Sequence, residues 1–305
     1  MKIIGLLSLF LFLNIGTLKA QQDEQISLYM YNKLAFNPAY AGSRDALSAI
    51  AIARFQWVSF EGAPKTQWFS IQAPLLQKSL GIGAHLVNDQ IGKRKRTSVF
   101  ADFSSSIKLN KKSSRLAFGL SGGVDIVGYD FSTVVVNDPN DPIVGEVVNE
   151  TKPNLGAGIY YYSDNHYFGI SAPRLLEASS DILDSIGAKL NARHFFITGG
   201  YVFKINSVLK LHPSTLIKYT PNAPVSADVN VSLLMYDKFW AGIMYRMHEA
   251  MGVNLVYNIK NKLSIGYVYD FPINGLRTFQ NGSHEVFLRY DFIPNKSVHS
   301  SPRYF

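Results

Sequence analysis

The sequence has 305 residues, of which 47% are hydrophobic and 17% are charged, and its formal net charge is +8 at neutral pH. This length suits one large domain or two small ones. The chain has no cysteine, which excludes a disulfide scaffold, a thiolate metal site, an iron–sulfur centre and a cysteine nucleophile. Apart from the run Lys93–Arg96, the basic residues are scattered, so the positive charge does not indicate nucleic-acid binding.

Residues 1–20 have the features of a secretory signal peptide. Lys2 precedes an apolar stretch from Ile3 to Ile15, and Ala20 is a small residue before a predicted cleavage at Gln21. An N-terminal membrane anchor is the alternative, although this stretch is short for a transmembrane span. No later window approaches eighteen apolar residues. We therefore expect an exported chain without a membrane-spanning helix.

From about residue 46 onward, apolar and polar residues alternate. Between Ala227 and Met235, for example, Val229 and Val231 alternate with Asp228 and Asn230. A period of two predicts strands with one apolar and one polar face. Fourteen strands are predicted: 46–57, 65–74, 80–88, 97–109, 114–126, 153–162, 166–173, 192–204, 207–219, 226–236, 239–247, 250–259, 262–270 and 283–292.

The connections between these strands alternate in length. Those after even-numbered strands are short, whereas most of those after odd-numbered strands are long, including 58–64, 89–96, 127–152, 174–191 and 271–282. This asymmetry is typical of outer-membrane barrels. We therefore predict an all-β protein, a transmembrane antiparallel β-barrel of about 14 strands in residues 46–292, with short periplasmic turns and longer external loops. A soluble all-β protein would explain the alternation, but not this asymmetry together with a signal peptide.

A barrel in lipid must carry apolar side chains outside and can carry polar ones in its lumen. Tyrosine and tryptophan are expected near the two membrane interfaces. Both ends of the strand set would lie in the periplasm. The arm of residues 21–45 would then start there, and either plug the lumen or bind a periplasmic partner; residues 293–305 form a C-terminal tail. The candidates for the aromatic girdles are Tyr160, Tyr161, Tyr162, Trp240, Tyr245, Tyr257, Tyr267 and Tyr269.

The sequence gives no indication of catalysis, and we predict no catalytic residue, no metal site and no cofactor. None of the seven histidines lies in a metal-binding spacing, and no nucleophile-elbow motif is present. His85 and His212 fall on polar strand faces and are expected to line the lumen. A hydrolase would need a serine and a histidine on adjacent strand faces, but the sequence alone pairs none. The basic run Lys93–Arg96, placed in an external loop, is read as a solvated charge run, with contact to an acidic surface as the alternative.

Two motif blocks fall outside the pattern of a lipid-facing and a lumen-facing side. The first is Asn37-Pro38-Ala39-Tyr40-Ala41-Gly42 followed by Arg44. The second runs from Arg54 to Gln67 and contains Gln56-Trp57-Val58, Phe60 and Gly62-Ala63-Pro64-Lys65-Thr66-Gln67; Gly81-x-Gly83 and Asn88-Asp89-x-Ile91-Gly92 follow it. In this order, the motifs resemble the PorP/SprF family of outer-membrane proteins of the type IX secretion and gliding machinery. Ser59 and Glu61 depart mildly from the family pattern.

This resemblance implies a non-enzymatic outer-membrane barrel that supports secretion or surface attachment of secreted proteins and adhesins. Its partners would be type IX secretion components or the C-terminal domains of secreted surface proteins, together with outer-membrane lipid and no nucleic acid. The alternative function is a passive channel or a transporter of small hydrophobic ligands. The candidate partner-binding residues are Asn37, Pro38, Tyr40 and Arg44 in the arm, and Trp57, Phe60, Gly62, Pro64, Lys65, Gln67, Asn88, Asp89 and Gly92 at the first external hairpin.

Overall fold

The structure, a computed structural model, describes residues 24–44, 46–76, 79–109, 114–132, 147–179, 189–221, 223–260 and 262–292. The predicted signal peptide and C-terminal tail lie outside the described residues. Within these ranges, no helix is long and apolar enough to cross a bilayer.

Seventeen strand segments follow one another in the described residues. They are β1 (Leu47–Phe55), β2 (Lys65–Leu75), β3 (Leu80–Ile91), β4 (Arg94–Lys108), β5 (Arg115–Asp130), β6 (Val147–Tyr162), β7 (His166–Ala172), β8 (Ala178–Ser179), β9 (Lys189–Asn191), β10 (Phe195–Tyr201), β11 (Phe203–Lys204), β12 (Leu209–Tyr219), β13 (Ser226–Met235), β14 (Phe239–Arg246), β15 (Ala250–Ile259), β16 (Leu263–Pro272) and β17 (Ser283–Phe292).

These segments form a closed antiparallel barrel of fourteen strands, as the sequence predicts. The segments β8 and β9 pair only with each other, and β10 and β11 are two parts of one barrel strand that is interrupted at Val202. The first strand pairs with the last, from Leu47 opposite Phe292 to Phe55 opposite His284. On the other side, β10 pairs with both β7 and β12. Closure allows the backbone N–H and C=O groups at strand edges to form hydrogen bonds, which lipid could not provide.

The two faces of the wall follow the predicted alternation. In β4, Val99 and Phe103 are about half exposed on the outside, whereas Ser98 and Asp102 are buried on the inside. The same division holds in β17, where Leu288 points outward and Glu285 and Arg289 point inward. The outer surface is therefore apolar and suited to acyl chains, while the lumen is lined with polar groups.

The two ends of the barrel differ, although one predicted long loop is wrong. We call the end that carries the β1–β2, β5–β6, β7–β10 and β16–β17 connections the long-loop end, and the opposite end the short-turn end. The expected loop 89–96 is a tight turn at Gly92 and Lys93, because β3 continues to Ile91 and β4 starts at Arg94. Gly92 has a φ of 54°, a value that glycine adopts without strain. Arg96 therefore points into the barrel and is buried, whereas Lys93 and Lys95 are exposed and Arg94 is half-buried, so the predicted solvated run is wrong only at Arg96.

Three of the predicted girdle residues are also wrong. Tyr160, Tyr162 and Trp240 are at most 4% exposed and lie inside the barrel, since their positions fall on the lumen face of β6 and β14. Tyr245, Tyr257 and Tyr267 are exposed on the outer wall, and Tyr161 and Tyr269 are half-buried. An aromatic side chain on the polar face of a strand can be a packing partner for something in the lumen rather than an interface anchor.

That partner is the N-terminal arm, which we define as residues 24–44. It lies inside the barrel, with two short 3₁₀ turns at Lys33–Ala35 and Pro38–Tyr40. Its apolar residues, among them Leu28, Tyr29 and Leu34, are buried against inward residues of the wall. The sequence predicted that the arm starts at the end of the barrel where the first strand begins and the last strand ends, which is the short-turn end. Gln25 contacts Glu249 at the long-loop end, whereas Arg44 contacts Asp291 at the short-turn end.

Candidate functional site

The Asn37–Gly42 motif fits against a patch of inward-facing glycines. A β-carbon added to Gly119 would overlap the backbone of Pro38 and Ala39, and one added to Gly81 would overlap the backbone of Ala41. Added β-carbons at Gly158 and Gly169 would collide with the side chain of Asn37. The glycines in the strands therefore allow the arm to approach the wall closely.

Asn37 holds this turn in place from both sides. Its side-chain oxygen accepts a hydrogen bond from the N–H of Ala39 at 3.0 Å, which caps the turn. Its side-chain nitrogen donates to the carbonyl of Ile159 in β6 at 3.2 Å. Tyr40 packs edge-on against Tyr160, with the ring centres 5.4 Å apart. Asn37, Pro38 and Tyr40 are thus buried contacts between the arm and the wall.

At the long-loop end, a cluster of buried ions holds the arm. Arg54 forms ion pairs with Asp270 at 2.8 Å and Glu285 at 3.0 Å, and all three side chains are at most 2% exposed. The Glu285 carboxylate accepts hydrogen bonds from the backbone N–H groups of Ser27 and Leu28 at 2.9 and 2.8 Å. The arm therefore supplies part of the solvation that the buried carboxylate requires.

Ser27 connects this cluster to a second ion pair. Its hydroxyl donates to Asp270 at 2.7 Å and accepts from Arg54 and Arg246. Arg246 in turn is held by a bidentate contact with Asp228. One hydroxyl of the arm thus lies among charged groups from β1, β14 and β16.

The start of the arm is held by another pair of arginines. Glu24 lies 3.4 Å from Arg96 and 3.3 Å from Arg174, and both arginines also contact Asp125 at 3.4 Å. Arg174 reaches this position because the chain turns inward after β7. At the short-turn end, Arg44 donates to Asp291 at 2.8 Å. The arm is therefore fixed by charge at both ends of the lumen.

The first external hairpin contains a strained, exposed loop, which we call the rim loop (residues 56–64). Trp57 and Ser59 have φ values of 49° and 77°, in a region that non-glycine residues rarely adopt. The rings of Trp57 and Phe60 meet edge-on at 6.3 Å, and Phe60 is 45% exposed. This loop presents an aromatic group to the surroundings of the long-loop end.

The rim loop is joined to its neighbours by backbone hydrogen bonds. The N–H of Val58 donates to Gly282 at 2.9 Å, and the N–H of Asn281 donates back to Val58 at 2.8 Å. On the other side, the N–H of Gly92 donates to Gly62 at 2.8 Å. Because surrounding contacts hold strained loop conformations in place, the loop has a defined shape.

The remaining predicted contact residues divide into exposed and buried groups. Gly62, Lys65 and Gln67 are exposed, and Asn88 is half-buried beside Gln67. Pro64 is buried, and Asp89 is buried with its carboxylate accepting a hydrogen bond from Thr66 at 2.6 Å. Gly92 is exposed at the tip of its turn. The two buried residues therefore maintain the hairpin rather than present a surface.

Sequence reasoning missed the buried ions that hold the arm. Asp270 and Glu285 lie in predicted strands on the polar face, but nothing local distinguishes them from lumen residues in contact with water. Ser27 and Glu285 are 258 positions apart in the chain. The only signal was a set of opposite charges near the same ends of several strands.

The structure does place a serine, a histidine and an aspartate on adjacent strands. His85 Nδ1 lies 2.8 Å from Asp102, and Ser70 is directly opposite His85 in the register of β2 and β3. Among the described residues, however, the Ser70 hydroxyl has no hydrogen-bond partner, so the three side chains are not joined by hydrogen bonds. His85 instead stacks on Phe100 with the ring centres 5.2 Å apart. Within the described ranges, no group of three or more histidine and acidic residues could hold a metal ion.

The apolar outer wall, the polar lumen and the closed fourteen-strand topology define this chain as an outer-membrane β-barrel. A Pseudomonas aeruginosa FadL homologue is similar at 12% identity, covering 84% of this chain and 93% of the other, with a TM-score of 0.46. The Acinetobacter baumannii outer membrane protein Omp33 is similar at 7% identity, covering 82% and 100%, with a TM-score of 0.49.

The sequence matches the family described as type IX secretion system membrane protein PorP/SprF over residues 18–290. The chain therefore belongs to this family, which confirms the resemblance carried by its motifs. Among curated proteins, no match was found. The family and the barrel fold are non-enzymatic in kind.

Proposed function

We propose that this barrel supports type IX secretion or surface attachment of secreted proteins through direct contact with a protein partner at its long-loop end, which faces outward. The observation that carries the proposal is the rim loop, whose strained backbone exposes Phe60 beside Trp57. Aromatic side chains on a defined loop are typical anchors of protein interfaces. The neighbouring 273–282 connection adds Phe279, which is 66% exposed.

In this proposal, the N-terminal arm has a structural role. It lies in the lumen, and among the described residues a cavity beside it, lined by Ile26, Phe36, Trp68 and Phe196, has a volume of about 40 Å³. A passive channel or a transporter of small hydrophobic ligands would require the arm to move. We therefore assign Asn37, Pro38, Tyr40 and Arg44 to holding the arm. Partner contact is assigned to the half-buried Trp57 and to the exposed hairpin residues Phe60, Gly62, Lys65 and Gln67.

The proposal is tested with the double variant Phe60→Ala/Phe279→Ala. We expect correctly inserted barrels that retain less secreted protein at the cell surface and co-purify less of it in mild detergent. Interface aromatics cost about 2 kcal/mol or more when truncated, so the loss should be at least about tenfold.

The matched control is Tyr236→Ala at the short-turn end. Tyr236 is 72% exposed and, like Trp57, has a positive φ, so the control removes an aromatic of similar exposure from the opposite side. We expect this variant to behave as the parent protein. Loss of surface display in the control with full display in the double variant would place the partner at the other end and refute the proposal.

A further inference from the structure

One strand of the barrel has an edge that no other strand covers within the part of the chain that the structure describes. All sixteen residues of β6, from Val147 to Tyr162, pair with β5. On its other side, β6 pairs with β7 only from Ala157, because β7 ends at Ala172. The first ten residues of β6 are thus an edge within an otherwise closed wall.

The direction of the hydrogen bonds identifies which groups are on this edge. The carbonyl of Leu155 accepts from the N–H of Leu175 at 2.8 Å, and the N–H of Ser163 donates to His166 in β7. Since the N–H and C=O of one residue in an antiparallel strand point the same way, the odd-numbered residues of β6 point away from β5. Val147, Asn149 and Thr151 therefore each present a donor and an acceptor, and Pro153 presents an acceptor only.

We call Val147–Pro153 the open edge. Within the described parts of the chain, the backbone groups on this edge have no hydrogen-bond partner. The hydrogen bond from Leu175 to Leu155 closes the edge on the barrel side. Seven residues at a rise of about 3.3 Å span about 20 Å, which is the length of an ordinary strand.

The open edge is continuous with the rim loop. Gly92 donates to Gly62 of the rim loop, the next residue Lys93 accepts from Asp130, and Asp130 is opposite Val147. The side chains of Asn149 and Thr151 are exposed on the outer side of the strand, so polar surroundings are compatible with this region. Rim loop and open edge thus form one surface at the long-loop end.

We propose that the open edge of β6 binds an extended segment of the secreted protein partner as an additional β-strand. This deepens the proposed function, on which it rests. Alternating backbone donors and acceptors at strand spacing are matched by another extended backbone, and such pairing gives affinity without requiring a particular sequence. The aromatic rim loop then contributes side-chain contacts next to the strand.

The test removes the edge donors without disturbing the pairing of β6 with β5. In the double variant Asn149→Pro/Thr151→Pro, both lost N–H groups point away from β5, and proline is tolerated on strand edges. The matched control is Asn149→Ala/Thr151→Ala, which removes the same side chains but keeps the donors. We expect the proline variant to bind or display at least tenfold less secreted protein than the alanine variant, with equal amounts of inserted barrel.

Three outcomes would overturn the inference. Equal display by the proline and alanine variants would show that the edge donors are not used. Loss in both would assign the effect to the side chains. A Thr151→Cys variant tests whether two copies of β6 pair with each other. A disulfide-linked dimer of the barrel that forms instead of a complex with the secreted protein would identify a second copy as the occupant.

The proposed function is tested separately from the strand-addition inference. If the parent barrel captures no secreted protein and the Phe60→Ala/Phe279→Ala variant displays normally, the proposed function fails. If capture depends on Phe60 and Phe279 but not on the edge donors, only the strand-addition inference fails. If the double proline variant does not fold, the single Thr151→Pro variant is compared with Thr151→Ala in the same display and binding measurements, because one proline perturbs β6 less than two.

Discussion

The two motif blocks of this chain lie in opposite environments. The Asn37–Gly42 turn is buried in the lumen, where Gly119 provides room for its backbone. The rim loop is at the surface, where Gly92 has nothing within 4 Å of an added β-carbon but has a positive φ. The first block is therefore constrained by space and the second by backbone conformation. Motifs of the same family can thus serve assembly of the fold in one place and presentation of a surface in another.

The largest effect is expected from breaking the buried ion cluster around the arm. The Arg54→Met variant leaves the Glu285 carboxylate without its ion-pair partner and leaves Asp270 with only Arg246 at 3.8 Å, which should lower the free energy of unfolding by about 3 kcal/mol. The measurement is the urea concentration at the midpoint of unfolding of the barrel, which is monitored by gel mobility. Adding Glu285→Gln should recover part of the loss. An unchanged midpoint in the single variant would show that the cluster does not stabilise the barrel.

The glycine patch should be the next most sensitive region. A Gly119→Ala exchange forces a methyl group into the backbone of the arm, which should cost about 2 kcal/mol and displace Pro38 and Ala39. Gly122→Ala in the same strand is the control, because its methyl group would meet only Leu155 at 3.6 Å. Limited proteolysis of the arm distinguishes the two. Equal protection in both variants would contradict the close fit.

A smaller effect is expected where the arm begins. In Glu24→Gln, the contacts with Arg96 and Arg174 lose their ionic character, at a cost of about 1.4 kcal/mol to arm docking. Because the chain has no cysteine, Ala35→Cys is a unique reporter, and its maleimide labelling should accelerate about tenfold. Glu61→Gln in the exposed rim loop should leave the rate unchanged. Equal rates in both would indicate that Glu24 does not hold the arm.

The smallest effect is expected at the tip of the β3–β4 turn. Gly92→Ala has open space but must keep a φ of 54°, which should cost about 1 kcal/mol. A thermal midpoint lowered by much more than for Gly119→Ala would reverse the contrast between the buried and the exposed motif. Surface display of secreted protein should persist in this variant.

The sequence predicted the wall better than the interior. The ends of strands were the least accurate part, as at β3 and β4, where Asp89–Ile91 and Arg94–Arg96 continue the strands but were predicted to belong to a loop. Of the predicted contact residues, Phe60, Lys65 and Gln67 are exposed, as a contact surface requires, whereas Pro64 and Asp89 are buried, and the partner contact itself stays a prediction. Exposure near a turn depends on how neighbouring loops pack, which a single segment does not encode.

The fourteen strands and the polar and apolar sides of the wall can be predicted from the amino-acid sequence, because side-chain direction in a strand alternates with a period of two and is a local property. The sequence also determined the family, through short motifs in a fixed order. Long-range packing places the start of the arm at the long-loop end, turns Arg96 and Trp240 inward and, among the described residues, leaves one edge of β6 uncovered. These features arise from contacts such as Ser27 with Glu285, between residues far apart in the chain, for which no local pattern exists.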